Sequence, residues 1–379
     1  MTEPANNHKK IFWSVTALFI LCGLIFGLYW VFWASDHEST DDSYVNGNMI
    51  MLTPQISGIV TNILADNTQL VEAGQPLIEL DPHDYEIALQ KSKGNLAETV
   101  RDVCGMFIKV EQLEAKKQAA QSDLLRAKLD YQHRKALVAD ASVSREDFEH
   151  SQTTLSSAFA KLKEVDKELG IAIAKIDNTT ISTHPLVEQA KSRLASDFLS
   201  LYRCTVRAPT RAIVTLRKAQ VGQWVSASTP LLSLVPLDQI WVDANFREVS
   251  LKYLRIGQPV ELFSDMYGRF QKFHGTVVGL NPGTGSVFSV LPPQNATGNW
   301  IKIVQRVPVK IALNPDELKK FPLVLGLSMT ATVSTHTRTG LQLPTPSEAV
   351  SVYSSPIYQD ELQGVDELIE AIIEENMYE

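Results

Sequence analysis

Histidine, cysteine and carboxylate side chains are where hydrolysis, redox chemistry or metal binding would start, and this 379-residue chain carries 8 His, 3 Cys and 43 Asp plus Glu. A zinc hydrolase needs two histidines one helical turn apart, because both rings must reach one ion. No H-E-x-x-H occurs, and the histidines are scattered without a His/Asp/Glu cluster at ligand spacing. Acyl transfer through serine needs a strained G-x-S-x-G elbow, which is also missing. Asn281-Pro282-Gly283-Thr284-Gly285-Ser286 has the glycine content of a phosphate cradle, but no Gly-Lys-Ser/Thr ending and no helical pattern after it. It reads as a connection between strands that needs positive φ. The adjacent carboxylates Glu146 and Asp147 fall on a long helical pattern, where solvated charge is their ordinary role. The cysteines form no C-x-x-C pair, which excludes a disulfide framework and a zinc ribbon. The sequence reads as a non-enzyme: no catalytic residue, no cofactor and no metal.

Reach and contact surface are what the chain builds instead. Hydrophobic residues make up 44%, too few for a polytopic membrane protein and too many for a disordered one. The formal charge of −8 argues against a nucleic-acid partner, which needs a concentrated basic surface. That charge is unevenly placed. Residues 341–379 hold nine acidic side chains and no Lys, Arg or His, so residues 1–340 sum to −8 + 9 = +1. The acidity belongs to one terminal segment.

Residues 11–35 form an uncharged stretch of 25 residues that includes Ile11, Trp13, Trp30 and Trp33. As a helix it would rise roughly 37 Å, enough for a ~30 Å hydrocarbon core. It ends in interfacial aromatics rather than the small residues of a cleavage site, which favours an uncleaved anchor over a signal peptide. Lys9 and Lys10 precede it, while Asp36, Glu38, Asp41 and Asp42 follow. The positive-inside rule then places residues 1–10 in the cytoplasm and about nine tenths of the chain across the membrane.

An internal repeat organises the next part. Shifting the chain by 154 residues aligns Gly58–Leu80 with Ala212–Leu234 without a gap, with ten identities in 23 pairs. The identities are Ile59/Ile213, Val60/Val214, Thr61/Thr215, Ala65/Ala219, Gln69/Gln223, Val71/Val225, Ala73/Ala227, Pro76/Pro230, Leu77/Leu231 and Leu80/Leu234. A unit of about 25 residues cannot bury a core alone, whereas two facing copies make a small β-sandwich. The pattern resembles the half-motif of biotinyl and lipoyl carrier domains. The segment leaving the first copy, Glu79-Leu80-Asp81-Pro82-His83-Asp84, lacks the lysine that such carriers modify.

Between the copies lies a long helical insert. Leu113, Ala120, Ala127 and Lys117, Leu124, Tyr131 recur at sevens in its first arm. Phe148, Leu155, Leu162, Leu169 and Ile176 do so in the second, with Ala158, Val165 and Ala172 as the companion line. That is an a/d seam, the signature of a coiled coil. Asp140-Ala141-Ser142-Val143-Ser144 sits at the midpoint, so the insert folds as an antiparallel hairpin of roughly 80 Å reach. Ser144 stands where it caps the second arm, which breaks at Asn178–Pro185 before resuming. Cys22, Cys104 and Cys204 are then far apart, well beyond the ~7 Å that a bridge allows, and read as packing thiols.

From Gln239 onward short strands separated by Gly and Pro predict a small β-barrel. Val365, Leu368, Ile369, Ile372 and Ile373 mark one apolar face of a terminal helix, which either stands as a solvated tail or docks on a partner. The fold class is mixed α and β and elongated. Its segments are 1–10, a transmembrane helix 11–35, a first half-motif with leading strand 36–83, a hairpin 84–203 with tip 140–144, a second half-motif 204–236, a barrel 237–340 and an acidic tail 341–379.

In this order, anchor, half-motif, hairpin, half-motif and barrel resemble the HlyD-type periplasmic adaptors, or membrane fusion proteins. Within them the likeness is to the branch that serves major-facilitator multidrug pumps. It covers about residues 36–340. Its specific runs are Thr40-Asp41-Asp42-Ser43-Tyr44-Val45, Ala65-Asp66-Asn67, Trp241-Val242-Asp243-Ala244-Asn245-Phe246 and Asn295-Ala296-Thr297-Gly298-Asn299-Trp300-Ile301-Lys302. The resemblance implies a tripartite multidrug efflux system in a Gram-negative bacterium. Its parts are an inner-membrane drug/proton antiporter, a TolC-like outer-membrane channel and a homo-oligomeric, single-pass adaptor between them. Many such adaptors meet the channel through an Arg, a Leu four residues on and a Ser seven after that. Leu137 and Ser144 match this spacing, while His133 stands at the Arg position with Arg134 beside it. The docking tip it implies is His133, Arg134, Leu137, Asp140, Ser142 and Ser144. Leu137 also fits as the last seam residue. Adaptors of ABC-type protein secretion pumps, and a tethered coiled-coil scaffold without transport, remain alternatives.

Overall fold

The computed structural model describes residues 6–32, 36–138, 142–268, 270–285, 287, 304–342 and 353–377. The fold is elongated and mixed α and β, with a helical hairpin and a β-barrel. Helix α1 runs Asn6–Phe32. Among the described residues no helix is long and apolar enough to cross a membrane.

The duplicated segments pair with each other. The first supplies β2 (Ile50–Leu52), β3 (Gly58–Ile63), β4 (Leu70–Val71) and β5 (Pro76–Leu80). The second supplies β6 (Thr205–Arg207), β7 (Ala212–Thr215), β8 (Trp224–Val225) and β9 (Leu232–Val235). They form two four-stranded sheets, ordered β2-β9-β7-β4 and β6-β5-β3-β8, so each sheet mixes strands of both halves. The equivalence extends to single bonds. Val60 N donates to Gln223 O and Val214 N to Gln69 O, both at 2.9 Å. The Gln69 Oε1 accepts from Asp66 N and the Gln223 Oε1 from Gln220 N, both at 3.0 Å. The identical pairs Val60/Val214, Val71/Val225, Leu77/Leu231 and Leu80/Leu234 fill one shared core. Burial in that core pushes the Cys204 thiol up to about 11.

A closed barrel follows, ordered β1-β10-β13-β12-β11-β14. Its strands are β1 (His37–Gly47), β10 (Ile240–Arg247), β11 (Pro259–Ser264), β12 (Lys272–Leu280), β13 (Arg306–Leu313) and β14 (Ser328–Ser334). Short α5 (Pro315–Lys320) precedes β14. This corrects the assignment of the leading strand, which was placed with the first half-motif. β1 pairs with both β10 and β14. The physical reason is closure: five strands would leave two edges of unpaired backbone, and β1 covers both. Two of the sequence runs meet here, since Asn245 Nδ2 donates to Asp42 Oδ1 and Thr40 Oγ1 donates to Asn245 O. Asn281–Ser286 leaves β12, with Asn281 N bound to Pro308 O. Gly285 is not left-handed, so positive φ is not what its glycine supplies, and Ser286 lies outside the described residues.

The hairpin consists of α2 (His83–Val138), α3 (Arg145–Ile176) and α4 (Pro185–Tyr202). Asp81 Oδ1 accepts from His83 N at the start of α2, and Asp84 and Glu86 face the positive helix end in its first turn. Along α3, residues 148, 151, 155, 158, 162, 165, 169, 172 and 176 are the ones withdrawn from solvent, a strict alternation of threes and fours. The second arm breaks where Asp177 and Asn178 turn left-handed. Buried His184 stitches that break: its Nε2 lies 3.1 Å from Lys175 O, and its Nδ1 accepts from Leu186 N.

Residues 365–376 of the terminal segment do not stand as a solvated tail. Helix α6 (Val365–Asn376) buries Val365, Ile369 and Ile373 against Leu96, Val100, Val103 and Leu194 of α2 and α4. Cys104 lies in the same core. The apolar face of α6 is satisfied within the chain, and its carboxylates Asp366, Glu367, Glu370, Glu374 and Glu375 face solvent.

Candidate docking site at the hairpin tip

The tip is made by the last two turns of α2 and the first turn of α3. The Tyr131 and Phe148 rings stack across the seam with centroids 5.5 Å apart. Ser144 is the N-cap of α3: its Oγ accepts from Asp147 N at 3.1 Å and donates to Asp147 Oδ2 at 2.6 Å. Ser142 N donates to Leu137 O at 3.2 Å, closing the turn onto the end of α2.

The sequence-predicted residues divide into two groups. Arg134 turns inward. Its Nε donates to Asp130 Oδ1 and its Nη1 to Asp147 O, both at 3.1 Å, so it ties the two arms together. His133 faces solvent, and Leu137, 44% exposed, lies one turn further along the same helix. Leu137 is therefore not a seam residue; Arg134 and Val138 take the partly buried positions on either side of it. Ser142 and Ser144 are exposed, with Ser144 committed to its cap. Asp140 lies outside the described residues. On α1, Ile11 and Trp13 are exposed, while the Trp30 side chain and Trp33 fall outside the described set.

Among the described residues this arrangement sets no nucleophile, acid or base in a pocket. It offers a leucine and an imidazole on a capped, cross-tied end, which is contact chemistry. Sequence reasoning missed the inward turn of Arg134, although the seam spacing extended from Ala127 by seven lands on it. It also missed that α6 braces the hairpin base, a pairing that no local pattern announces.

Residues 83–204 match the family described as EMRA, alpha-helical hairpin domain. Over 373 residues the chain is 37% identical to "Multidrug export protein EmrA" of Haemophilus influenzae, covering 98% of this chain and 96% of the relative. It is 39% identical over 350 residues to "Multidrug export protein EmrA" of Escherichia coli K12, covering 92% and 90%. To "Fatty acid resistance protein FarA" of Neisseria gonorrhoeae it is 39% identical over 364 residues, covering 96% and 92%. Among solved structures, "Structure of the periplasmic adaptor protein EmrA" aligns with 22% identity and a TM-score of 0.39, covering 79% of this chain and 98% of that one.

Proposed function

The chain belongs to the EmrA family of membrane fusion proteins, and from that premise we propose that it is the adaptor subunit of a tripartite multidrug efflux system. Residues 11–35 anchor it in the inner membrane with residues 1–10 cytoplasmic, beside a major-facilitator drug/proton antiporter. The lipoyl-like sandwich and the barrel associate with further copies of the chain. The hairpin carries its tip to a TolC-like outer-membrane channel. The pump supplies transport; the adaptor, a non-enzymatic subunit, supplies reach and contact.

One observation carries this reading. Leu137 stands exposed at the far end of a 56-residue helix whose seam is withdrawn from solvent along its partner arm. An apolar side chain held outward on a rigid, capped tip is suited to seat in another protein. Leu137→Asp places a carboxylate in that contact, and burying an unpaired charge costs several kcal/mol. In a strain lacking its own copy, the variant should accumulate in the inner-membrane fraction yet give no drug resistance above the empty vector. A photo-crosslinking residue at 137 should capture the outer-membrane channel. Full resistance of the variant, with no channel adduct, would refute tip docking.

A further inference from the structure

At the junction of the sandwich and α2 an open cleft of about 400 Å³ is lined by Ile59, Trp224, Tyr85, Asp81, Asp84 and Asp197, among others. Trp224 sits on β8, the edge strand of its sheet, directly across from Ile59. Trp224 is 66% exposed and Ile59 41%. Large aromatic surface on a sheet edge is costly unless something covers it.

The charged residues that line this cleft are carboxylates. Asp81, Asp84 and Asp197 converge on the cleft, and none of its lining residues is Lys or Arg. Asp81 answers the N-terminus of α2 and also meets the His83 imidazole, so Asp84 and Asp197 are the carboxylates left to the cleft. Asp197, only 12% exposed, meets Arg193 Nε at 3.3 Å, but the Arg193 side chain is 68% exposed and does not line the cleft. Elsewhere the chain places its own cations on its rings: Lys310 lies 3.7 Å from the Trp241 ring centroid, and Arg338 lies 4.6 Å from that of Tyr253. Among the described residues Trp224 has no such partner, although three carboxylates line the cleft beside it.

We propose that this cleft binds a lipophilic organic cation, with the positive centre over the Trp224 indole and between Asp84 and Asp197, and its apolar groups against Ile59 and Tyr85. An aromatic face and nearby carboxylates both favour a positive charge, and a weakly hydrated organic cation loses little on leaving water. Tyr85 is rigid enough to serve as a wall, since its OH donates to Ser57 O at 2.7 Å. The site is independent of the hairpin tip, so it stands whether or not Leu137 meets a channel.

The test is equilibrium dialysis of tetraphenylphosphonium against the full chain in detergent, with a detergent-only blank. Saturable binding of one cation per chain is expected. Trp224→Ala should weaken it roughly five- to thirtyfold, Asp84→Asn less, and Trp224→Phe least, because phenylalanine keeps an aromatic face. Trp224 is exposed, so the fold should survive, as circular dichroism would verify. Neutral triphenylphosphine oxide should not bind. The proposal falls if wild type shows no saturable binding, if Trp224→Ala binds as well as wild type, or if the neutral probe binds equally. It also falls if Trp224→Ala leaves cation binding intact and lowers the oligomer size, which would make the indole a contact between copies.

Discussion

Thr68 and Gly222 occupy the same place in the two halves of the sandwich, 154 residues apart, and both are left-handed, with φ of 71° and 82°. Their amides do the same work: Thr68 N donates to Val214 O at 2.9 Å and Gly222 N to Val60 O at 2.8 Å. The turn geometry is thus imposed by the paired halves and not by local preference. Glycine meets it freely, whereas a β-branched residue there carries a strain of about 1–2 kcal/mol.

Thr68→Gly should therefore stabilise the sandwich. Part of the relieved strain is offset by the greater freedom of glycine in the unfolded chain, about 0.5–1 kcal/mol, leaving a net gain of up to about 1 kcal/mol. Gly222→Ala, with open space around it but a forbidden φ, should lose about 1 kcal/mol. Paired thermal melts would show opposite signs for these two substitutions. Equal signs would mean that the halves are not held by the same geometry.

The terminal segment is pinned by Arg203, whose Nη2 lies 2.7 Å from Glu361 Oε2 at the junction of hairpin and sandwich. Glu361 is 11% exposed and Arg203 31%, so solvent screens the pair in part. Glu361→Gln should cost about 1–2 kcal/mol, below the range for a fully buried pair. Hydrogen exchange should rise first in residues 365–376, with α2 protected as before. Uniform loosening of α2 and α6 together would instead make α6 part of the hairpin's own cooperative unit.

Gly275 is a steric requirement of the barrel. A Cβ there would meet Ala312 O at 2.6 Å and Ile311 Cγ2 at 2.8 Å, where β12 runs against β13. The carbonyl belongs to the neighbouring strand and cannot rotate away, so Gly275→Ala should destabilise the barrel by about 1–3 kcal/mol. Gly279, on the same strand with nothing within 4 Å, is the control, and Gly279→Ala should melt close to wild type.

The parts legible in the sequence were those with a period. The 154-residue offset named the pairs that now share a core, and the sevens from Phe148 to Ile176 named the buried line of α3. What stayed hidden depended on distant partners. β1 alternates like any half-buried strand, and nothing within His37–Gly47 says that its edges will meet β10 and β14. The same holds for Val365, Ile369 and Ile373: an apolar helix face predicts burial but not the surface that provides it. At the tip, the resemblance set Arg134 on the docking face, although the sevens that pass through Ala127 land on it. Two hydrogen bonds, to Asp130 and Asp147, decided the matter.

The hairpin also holds one polar tie whose strength must vary with pH. Lys117 is a seam position of α2, and its Nζ reaches Asp166 Oδ1 of α3 at 2.6 Å. That hydrogen bond, with the charge of Lys117, holds the Asp166 carboxyl below its ordinary value of 3.8. A carboxyl whose folded value is depressed binds its proton more readily in the unfolded chain. The stabilisation is then complete above the unfolded value and is lost as pH falls through the folded one. The melting difference between wild type and Asp166→Asn should be constant at neutral pH, begin to shrink near pH 3.8 and close below it. It should also shrink in high salt, because the pair is half exposed to solvent. A difference that persisted at the acid end would show that Asp166 supports the hairpin by packing and not by its charge.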